Sequence, residues 1–187
     1  MIYIFPTDTC YGIACAIDDK KSYEKIYKMK KRKFDKPLAI MVSGFDWLRK
    51  NTDLLPEQVD FLERYEKPFT ILTNSDTVEL FLQYADDNEE HFINKDVYTQ
   101  VAFRVASNGI EEKLIKRVWP IWLTSANTSE SWENYNIEEI EEDFAYYIEK
   151  GSIEILGGNT ILDEDVPASD VFRFDWETLE LEYVRKN

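Results

Sequence analysis

Short apolar runs and amphipathic stretches alternate along the whole of this 187-residue chain. Apolar runs of about four to eight residues, bounded by polar or turn residues, are typical of strands in a sheet. The runs predict strands at residues 1–5, 14–17, 38–42, 69–72, 101–105, 121–124, 153–156, 171–174 and 179–184.

Stretches with apolar residues at helical spacing separate these runs. Ile137, Ile140 and Phe144, for example, fall on one face of an acidic amphipathic helix. Such spacing predicts helices at residues 22–31, 46–49, 56–65, 78–84, 110–118 and 137–150, and residues 86–98 have the character of an acidic connection. Because strands and helices interleave without a repeat or a clear linker, we predict one α/β (α+β) domain over residues 1–187, built on a sheet flanked by helices.

The composition argues against several classes of protein. The net charge of −15 disfavours broad, non-specific binding to nucleic acid, which depends on neutralising phosphates. There is no apolar run of about 18 residues to span a membrane and no N-terminal pattern of a signal peptide. We therefore expect a cytoplasmic protein.

The cysteines and the histidine offer no evident catalytic or metal site. Cys10 and Cys15 lie five positions apart, on opposite faces of a strand-like segment, which disfavours a mutual disulfide. Two cysteines also fall short of a zinc set. The single histidine, His91, lies in an acidic stretch that reads as a solvated loop. We expect reduced thiols, no catalytic histidine and no metal held by protein ligands.

Basic residues are concentrated in one part of this acidic chain. Nine lysines and arginines fall within residues 20–36. A solvated helix face is one interpretation of this cluster, and a phosphate site is the other, because a local cluster acts on a small anion more than total charge does. In the basic segment (residues 30–38), Arg32 can grip a phosphate as a fork, with Lys30 and Lys36 adding point charges.

Two other segments carry side chains suited to a small ligand. Thr7 and Thr9 come directly after the first predicted strand, and Gly12 lets the backbone approach a ligand closely. Residues 124–129 follow a predicted strand and offer hydroxyls, an amide and backbone donors, although capping of the next helix is an equal alternative. Arg104 lies inside an apolar run, where its charge must be paired or face a ligand.

Taken in order, four motifs resemble those of the YrdC-like threonylcarbamoyl-AMP synthases. They are PTDTxYGI at 6–13, KxRxxxKPL at 30–38, VAxR at 101–104 and SANxS at 125–129. Weaker matches occur at 67–72, 168–172 and 183–185. The resemblance covers nearly the whole chain, and the order of the four motifs makes it specific.

The resemblance implies a YrdC-like open, twisted, mixed sheet and a reaction. Enzymes of this family condense L-threonine, bicarbonate or CO2, and ATP into threonylcarbamoyl-AMP and pyrophosphate. Their product passes to a separate tRNA threonylcarbamoyl transferase, which modifies an adenosine beside the anticodon. Mg²⁺ would accompany the nucleotide, since it favours phosphate oxygens over a cage of protein ligands.

The resemblance also implies roles for residues, which act by positioning and electrostatics rather than as nucleophiles. The residues matched to ATP are Lys30, Arg32, Lys36, Ser125, Asn127 and Arg185, with Lys30, Arg32 and Lys36 on the triphosphate. The residues matched to threonine are Thr7, Thr9, Arg104 and Ser169, with Arg104 on the carboxylate.

The chain departs from the family pattern at several positions. Thr124 replaces a common proline, Glu130 a glycine and Met41 a frequent polar residue. Asp170 stands where the family has a threonine, so we expect a negative charge near the ligand. The chain starts directly at its first strand, so we expect one face of the sheet to be less covered.

Two alternatives stay open. A non-catalytic nucleotide- or RNA-binding YciO-like relative would share the fold, although the KxR and SAN motifs argue against it. A carbamoyl-transfer domain like that of HypF belongs to a much longer chain with zinc-finger cysteines, which this sequence lacks. Pyrophosphate release that depends on threonine and bicarbonate would separate the synthase from both.

Overall fold

The computed structural model describes residues 1–84, 93, 96–129, 131–175 and 177–187. The strands within these residues are β1 (Ile2–Pro6), β2 (Tyr11–Ala16), β3 (Ala39–Val42), β4 (Phe69–Asn74), β5 (Gln100–Val105), β6 (Ile121–Ser125), β7 (Ile153–Ile155), β8 (Asp170–Phe174) and β9 (Leu181–Arg185). The helices are α1 (Lys20–Met29), α2 (Phe45–Asn51), α3 (Pro56–Glu63), α4 (Glu79–Leu82), α5 (Gly109–Arg117) and α6 (Ile137–Glu149), with a 3₁₀ turn at Ser75–Thr77.

Each predicted strand and helix is confirmed, with ends that shift by a few residues. The predicted acidic connection at 86–98 lies largely outside the described residues, and His91 lies outside them as well. No helix in the described part of the chain has both the length and the apolar character needed to cross a membrane.

The described strands form one mixed sheet in the order β7-β1-β2-β6-β3-β5-β4-β8-β9. The pairs β1–β7, β3–β5 and β4–β8 are parallel, and the other neighbours are antiparallel. The sheet does not close on itself, because β7 and β9 stand at its two ends. The predicted open mixed sheet with flanking helices is therefore confirmed.

One face of the sheet is buried under several helices. Successive strand residues point to opposite faces, and Ile2 and Ile4 of β1 belong to the larger apolar core. That core also takes in Tyr23 and Ile26 of α1 and Phe144 of α6. Burial on both faces explains why the central strands are continuous apolar runs rather than alternating ones.

Helix α5 covers one end of the opposite face. Tyr3 and Phe5, which alternate with Ile2 and Ile4, pack there with Leu114 of α5 and with Met41 of β3. Met41 is fully buried in this cluster, which accounts for an apolar residue at a position that is frequently polar in the family. The remainder of this face forms a concave pocket.

Candidate active site

The floor of the pocket is made of small side chains. The pocket has a volume of about 510 Å³, and its lining includes Gly12, Ala39 and Ala102 from three central strands. Ala39 and Ala102 are direct partners across β3 and β5. A Cβ atom at Gly12 would lie 2.8 Å from Thr7 Cγ2 and 2.9 Å from Leu123 Cδ1. Small residues at these three positions leave space for a ligand above the strands.

Eight of the ten residues predicted for the site line this one pocket. They are Thr7, Thr9, Arg32, Lys36, Arg104, Ser125, Ser169 and Arg185. Lys30 and Asn127 are not part of the lining. Segments that are far apart in the sequence thus meet on one face of the sheet.

The threonine loop (residues 7–10) folds on its own hydroxyls. Thr7 Oγ1 donates a hydrogen bond of 2.7 Å to the carbonyl of Cys10 and accepts one of 3.2 Å from the Thr9 amide. Thr9 Oγ1 lies 3.2 Å from Thr7 Oγ1. Burial raises the pKa of the Cys10 thiol to about 11, which keeps this pocket residue protonated near neutral pH. Cys10 and Cys15 are both free thiols.

Arg104 combines the two roles that the sequence leaves open. It lines the pocket, and its guanidinium is also paired with the carboxylate of Asp8. Its Nη1 donates a hydrogen bond of 3.0 Å to the carbonyl of Phe69. Sequence reasoning missed Asp8 as this partner, although its place between two threonines that line the site was a usable signal.

The basic segment contributes two cations to the pocket. Arg32 donates from Nε to the carbonyl of Lys36 at 3.1 Å and from Nη2 to the carbonyl of Pro37 at 3.0 Å. The Arg32 guanidinium is therefore hydrogen-bonded to backbone carbonyls of its own segment in this structure. The Lys36 side chain is exposed at the pocket.

Lys30 differs from the expectation that it contacts phosphate. Its side chain is only 1% exposed, and Nζ donates to the carbonyls of Ser125 and Asn127, the latter at 2.7 Å. It also donates to Asn127 Oδ1 at 3.0 Å. Lys30 caps the end of α1, so its side chain enters the interior beneath the SAN turn (residues 125–127). Burial lowers the pKa of this ammonium group to about 7.

Asp170 also differs from the expectation, because its charge does not reach the pocket. Its side chain is buried, and Oδ2 accepts a hydrogen bond of 2.5 Å from the Tyr65 hydroxyl. Oδ1 accepts one of 2.7 Å from the backbone amide of Asn187. Ser169 and Val171, its neighbours in β8 and the preceding turn, line the pocket instead. The carboxylate pairs with neither Arg104 nor Arg185.

Arg185 of β9 lines the pocket and is hydrogen-bonded to the segment that precedes β8. Its Nη2 donates a hydrogen bond of 2.7 Å to the carbonyl of Ser169. The hydroxyls of Ser169 and Thr70 lie 3.0 Å apart. Thr70 was missed from the sequence, although its position in a predicted strand beside other pocket segments marks it as a candidate.

The charge of the pocket is opposite to that of the chain. Its lining carries four cations and two carboxylates. These side chains are Arg32, Lys36, Arg104, Arg185, Asp35 and Glu133. The described residues contain no group of three or more His, Cys, Asp or Glu side chains suited to a metal ion. The excess of cations suits the pocket to an anion, whose oxygens could in turn bind a divalent cation.

Comparison with known proteins identifies the family. The Sua5/YciO/YrdC family model, described as "Telomere recombination", matches residues 1–173. The chain belongs to this family. A threonylcarbamoyl-AMP synthase from Pyrococcus abyssi is 29% identical over 162 residues, which cover 83% of this chain and 43% of that protein. The synthase of Homo sapiens is 28% identical, over 87% of this chain and 58% of the human protein.

Solved structures of relatives have the same fold. P. abyssi Sua5 complexed with L-threonine superposes with a TM-score of 0.70 at 26% identity, over 98% of this chain and 49% of that one. Escherichia coli YciO superposes with a TM-score of 0.70 at 20% identity, over 99% of this chain and 82% of YciO. This chain thus spans less than half of the P. abyssi proteins but most of YciO.

Proposed function

We propose that this chain is a threonylcarbamoyl-AMP synthase, which converts L-threonine, bicarbonate or CO2, and ATP into threonylcarbamoyl-AMP and pyrophosphate. The observation that carries the proposal is one pocket that joins the threonine loop and Arg104 to Arg32 and Lys36 of the basic segment. A ligand with a carboxylate at one end and phosphates at the other matches this distribution of charge.

In this proposal, Arg104 binds the carboxylate of threonine. A guanidinium has five N–H donors, and Asp8 and the Phe69 carbonyl engage only part of them. Donors therefore remain for a second carboxylate beside Asp8. The hydroxyls of Thr7, Thr9 and Ser169 surround the same region and would orient the amine and the side chain of the amino acid.

ATP would lie along the basic segment. Arg32 and Lys36 would neutralise the triphosphate, with Ser125 and Arg185 at other parts of the nucleotide. Lys30 and Asn127 would act from behind the pocket wall, by holding the SAN turn through their mutual hydrogen bonds. Mg²⁺ would bind through the phosphate oxygens and neutralise part of their charge.

The chemistry needs positioning and charge neutralisation rather than a nucleophilic side chain. The threonine amine adds to CO2, a C–N bond forms and a proton leaves, so the product is a carbamate anion. A carbamate oxygen then attacks the α-phosphorus, and the bond from that phosphorus to the oxygen of pyrophosphate breaks. Cations around the phosphates stabilise the charge that develops in this step.

The product would serve tRNA modification through a separate tRNA threonylcarbamoyl transferase in the cytoplasm. Direct tRNA binding is not part of the proposal, because the net charge of −15 opposes it.

Mass spectrometry of the reaction products tests the proposal. The protein is incubated with ATP, bicarbonate and a mixture of amino acids, and threonylcarbamoyl-AMP is the expected new species. Arg104→Ala should abolish this species, whereas Arg49→Ala, at a half-buried arginine outside the pocket lining, should retain it. Nucleotide binding without any product would support the non-catalytic alternative instead.

A further inference from the structure

Three buried tyrosines form a hydrogen-bonded series against the C-terminal end of the basic segment, at Lys36 and Leu38. Tyr23 and Tyr27 lie one turn apart on α1, and Tyr98 precedes β5. The Tyr23 hydroxyl is 2.8 Å from that of Tyr98 and 3.1 Å from that of Tyr27. The Tyr27 hydroxyl donates to the carbonyl of Lys36 at 2.8 Å, and the Tyr98 hydroxyl accepts from the amide of Leu38 at 3.0 Å.

The direction of these hydrogen bonds follows from the chemistry of the two ends. A carbonyl only accepts, so Tyr27 gives its one proton to Lys36, and Tyr23 must be the donor between Tyr23 and Tyr27. With its proton used there, Tyr23 accepts from Tyr98. The chain then runs in one direction, from the Leu38 amide through Tyr98, Tyr23 and Tyr27 to the Lys36 carbonyl.

The surroundings of these phenols preserve the series of hydrogen bonds. All three side chains are at most 3% exposed. Burial raises the pKa of the Tyr23 and Tyr98 hydroxyls, so they keep the protons that the chain requires near neutral pH. Phe34 of the basic segment stacks on the Tyr27 ring with centroids 4.5 Å apart.

The Lys36 carbonyl links the series of hydrogen bonds to the candidate site. It accepts from Tyr27 and also from Nε of Arg32. The same carbonyl thus fixes both the backbone of the segment and the orientation of the arginine fork. The side chains of Arg32 and Lys36 line the pocket, whereas the three phenols do not.

We propose that Tyr23, Tyr27 and Tyr98, the phenol relay, are positioning residues that hold the basic segment in the conformation that binds the phosphates of a nucleotide. The identity of that ligand rests on the proposed function. The effect of the three hydroxyls on the conformation of the basic segment does not depend on it. Because hydrogen bonds in such a series support one another, removal of the Tyr23 hydroxyl should weaken the bonds to the Lys36 carbonyl and from the Leu38 amide.

The test uses Tyr23→Phe, which removes the middle hydroxyl without removing a direct contact to Lys36 or Leu38. Amide hydrogen exchange of residues 31–38 is measured in the ligand-free protein, and calorimetry measures the affinity for a non-hydrolysable ATP analogue and for threonine. Tyr65→Phe is the control, because it removes a phenol that is bonded to Asp170 and Tyr183 away from the basic segment.

We expect faster exchange in residues 31–38 and about two- to tenfold weaker binding of the analogue for Tyr23→Phe, with unchanged threonine affinity. Tyr65→Phe should change neither the exchange of this segment nor analogue binding, even where it lowers the melting temperature. Unchanged exchange in Tyr23→Phe, or faster exchange with normal analogue affinity, would overturn the relay. A wild-type protein that binds no analogue would contradict the proposed function alone, since the exchange result still decides whether the relay orders the segment.

Discussion

At the scale of the residue, environment separates side chains of the same type. Lys36 is exposed at the pocket, whereas Lys30 is buried beneath the SAN turn with its ammonium bonded to three oxygens. Both lysines belong to one motif in the sequence. The motif shows that cations are concentrated there, but burial depends on how the end of α1 packs, and that depends on residues almost a hundred positions away.

Lys30 should make stability depend on pH in a characteristic direction. Burial lowers its pKa from 10.5 to about 7, so between these values the unfolded chain binds more protons than the folded one. Stability therefore rises with pH across this window, and the cost of the buried charge is full below it. Relative to Lys30→Met, the wild type should gain about 3 kcal/mol of unfolding free energy between about pH 6 and about pH 9.

Urea unfolding of both proteins at the two pH values measures this difference. Lys28→Met is the matched control, because Lys28 is exposed on the same helix. The wild type should show no such gain relative to Lys28→Met, which retains Lys30. If the difference in unfolding free energy between the wild type and Lys30→Met is the same at both pH values, Lys30 keeps an ordinary lysine pKa.

Arg104→Lys tests the assignment of the threonine carboxylate. Lysine keeps the charge but loses the planar fork that can hold Asp8 and a ligand carboxylate together. We expect the KM for threonine to rise about tenfold, with little change in affinity for ATP. If the variant melts early but keeps a normal KM for threonine, the ion pair with Asp8 is purely structural.

At the scale of the element, alternation along strands decides which side chains reach the site. In β5, Ala102 and Arg104 face the pocket, and Val101 and Phe103 face the larger core. The same rule corrects Asp170. The predicted strand began at residue 171, and extending it by one residue turns Asp170 away from Ser169 and Val171, so its carboxylate meets Tyr65 instead.

Gly12→Ala tests the floor of the pocket. A new Cβ in β2 would overlap the side-chain methyl groups of Thr7 and Leu123, so both side chains must shift. We expect a loss of about 1–3 kcal/mol of stability and weaker binding of threonine. Gly109→Ala, where an added Cβ meets no atom within 4 Å, is the control for calorimetric unfolding and binding. Equal stability and equal threonine binding in the two variants would show that the pocket accommodates a methyl group at residue 12.

At the scale of the whole molecule, the sequence predicted the fold and eight of the residues that line the pocket. The apolar runs predict the strands because strands buried on both faces must be apolar throughout. Motif order predicts that residues from 7 to 185 serve one site. Partners that meet only through the fold, such as Tyr65 for Asp170 and the three phenols for the basic segment, could not be predicted, because they depend on distances between segments that one sequence does not contain.

In the proposed reaction, the amino acid reacts through a carbamate. Pyrophosphate release from ATP is followed with threonine present, first in buffer stripped of CO2 and bicarbonate and then after bicarbonate is added. We predict that release collapses in the stripped buffer and returns with bicarbonate, because the proposed binding of the threonine carboxylate by Arg104 would leave the amine free to react. Undiminished release without bicarbonate would contradict the carbamate route and indicate direct adenylation of threonine.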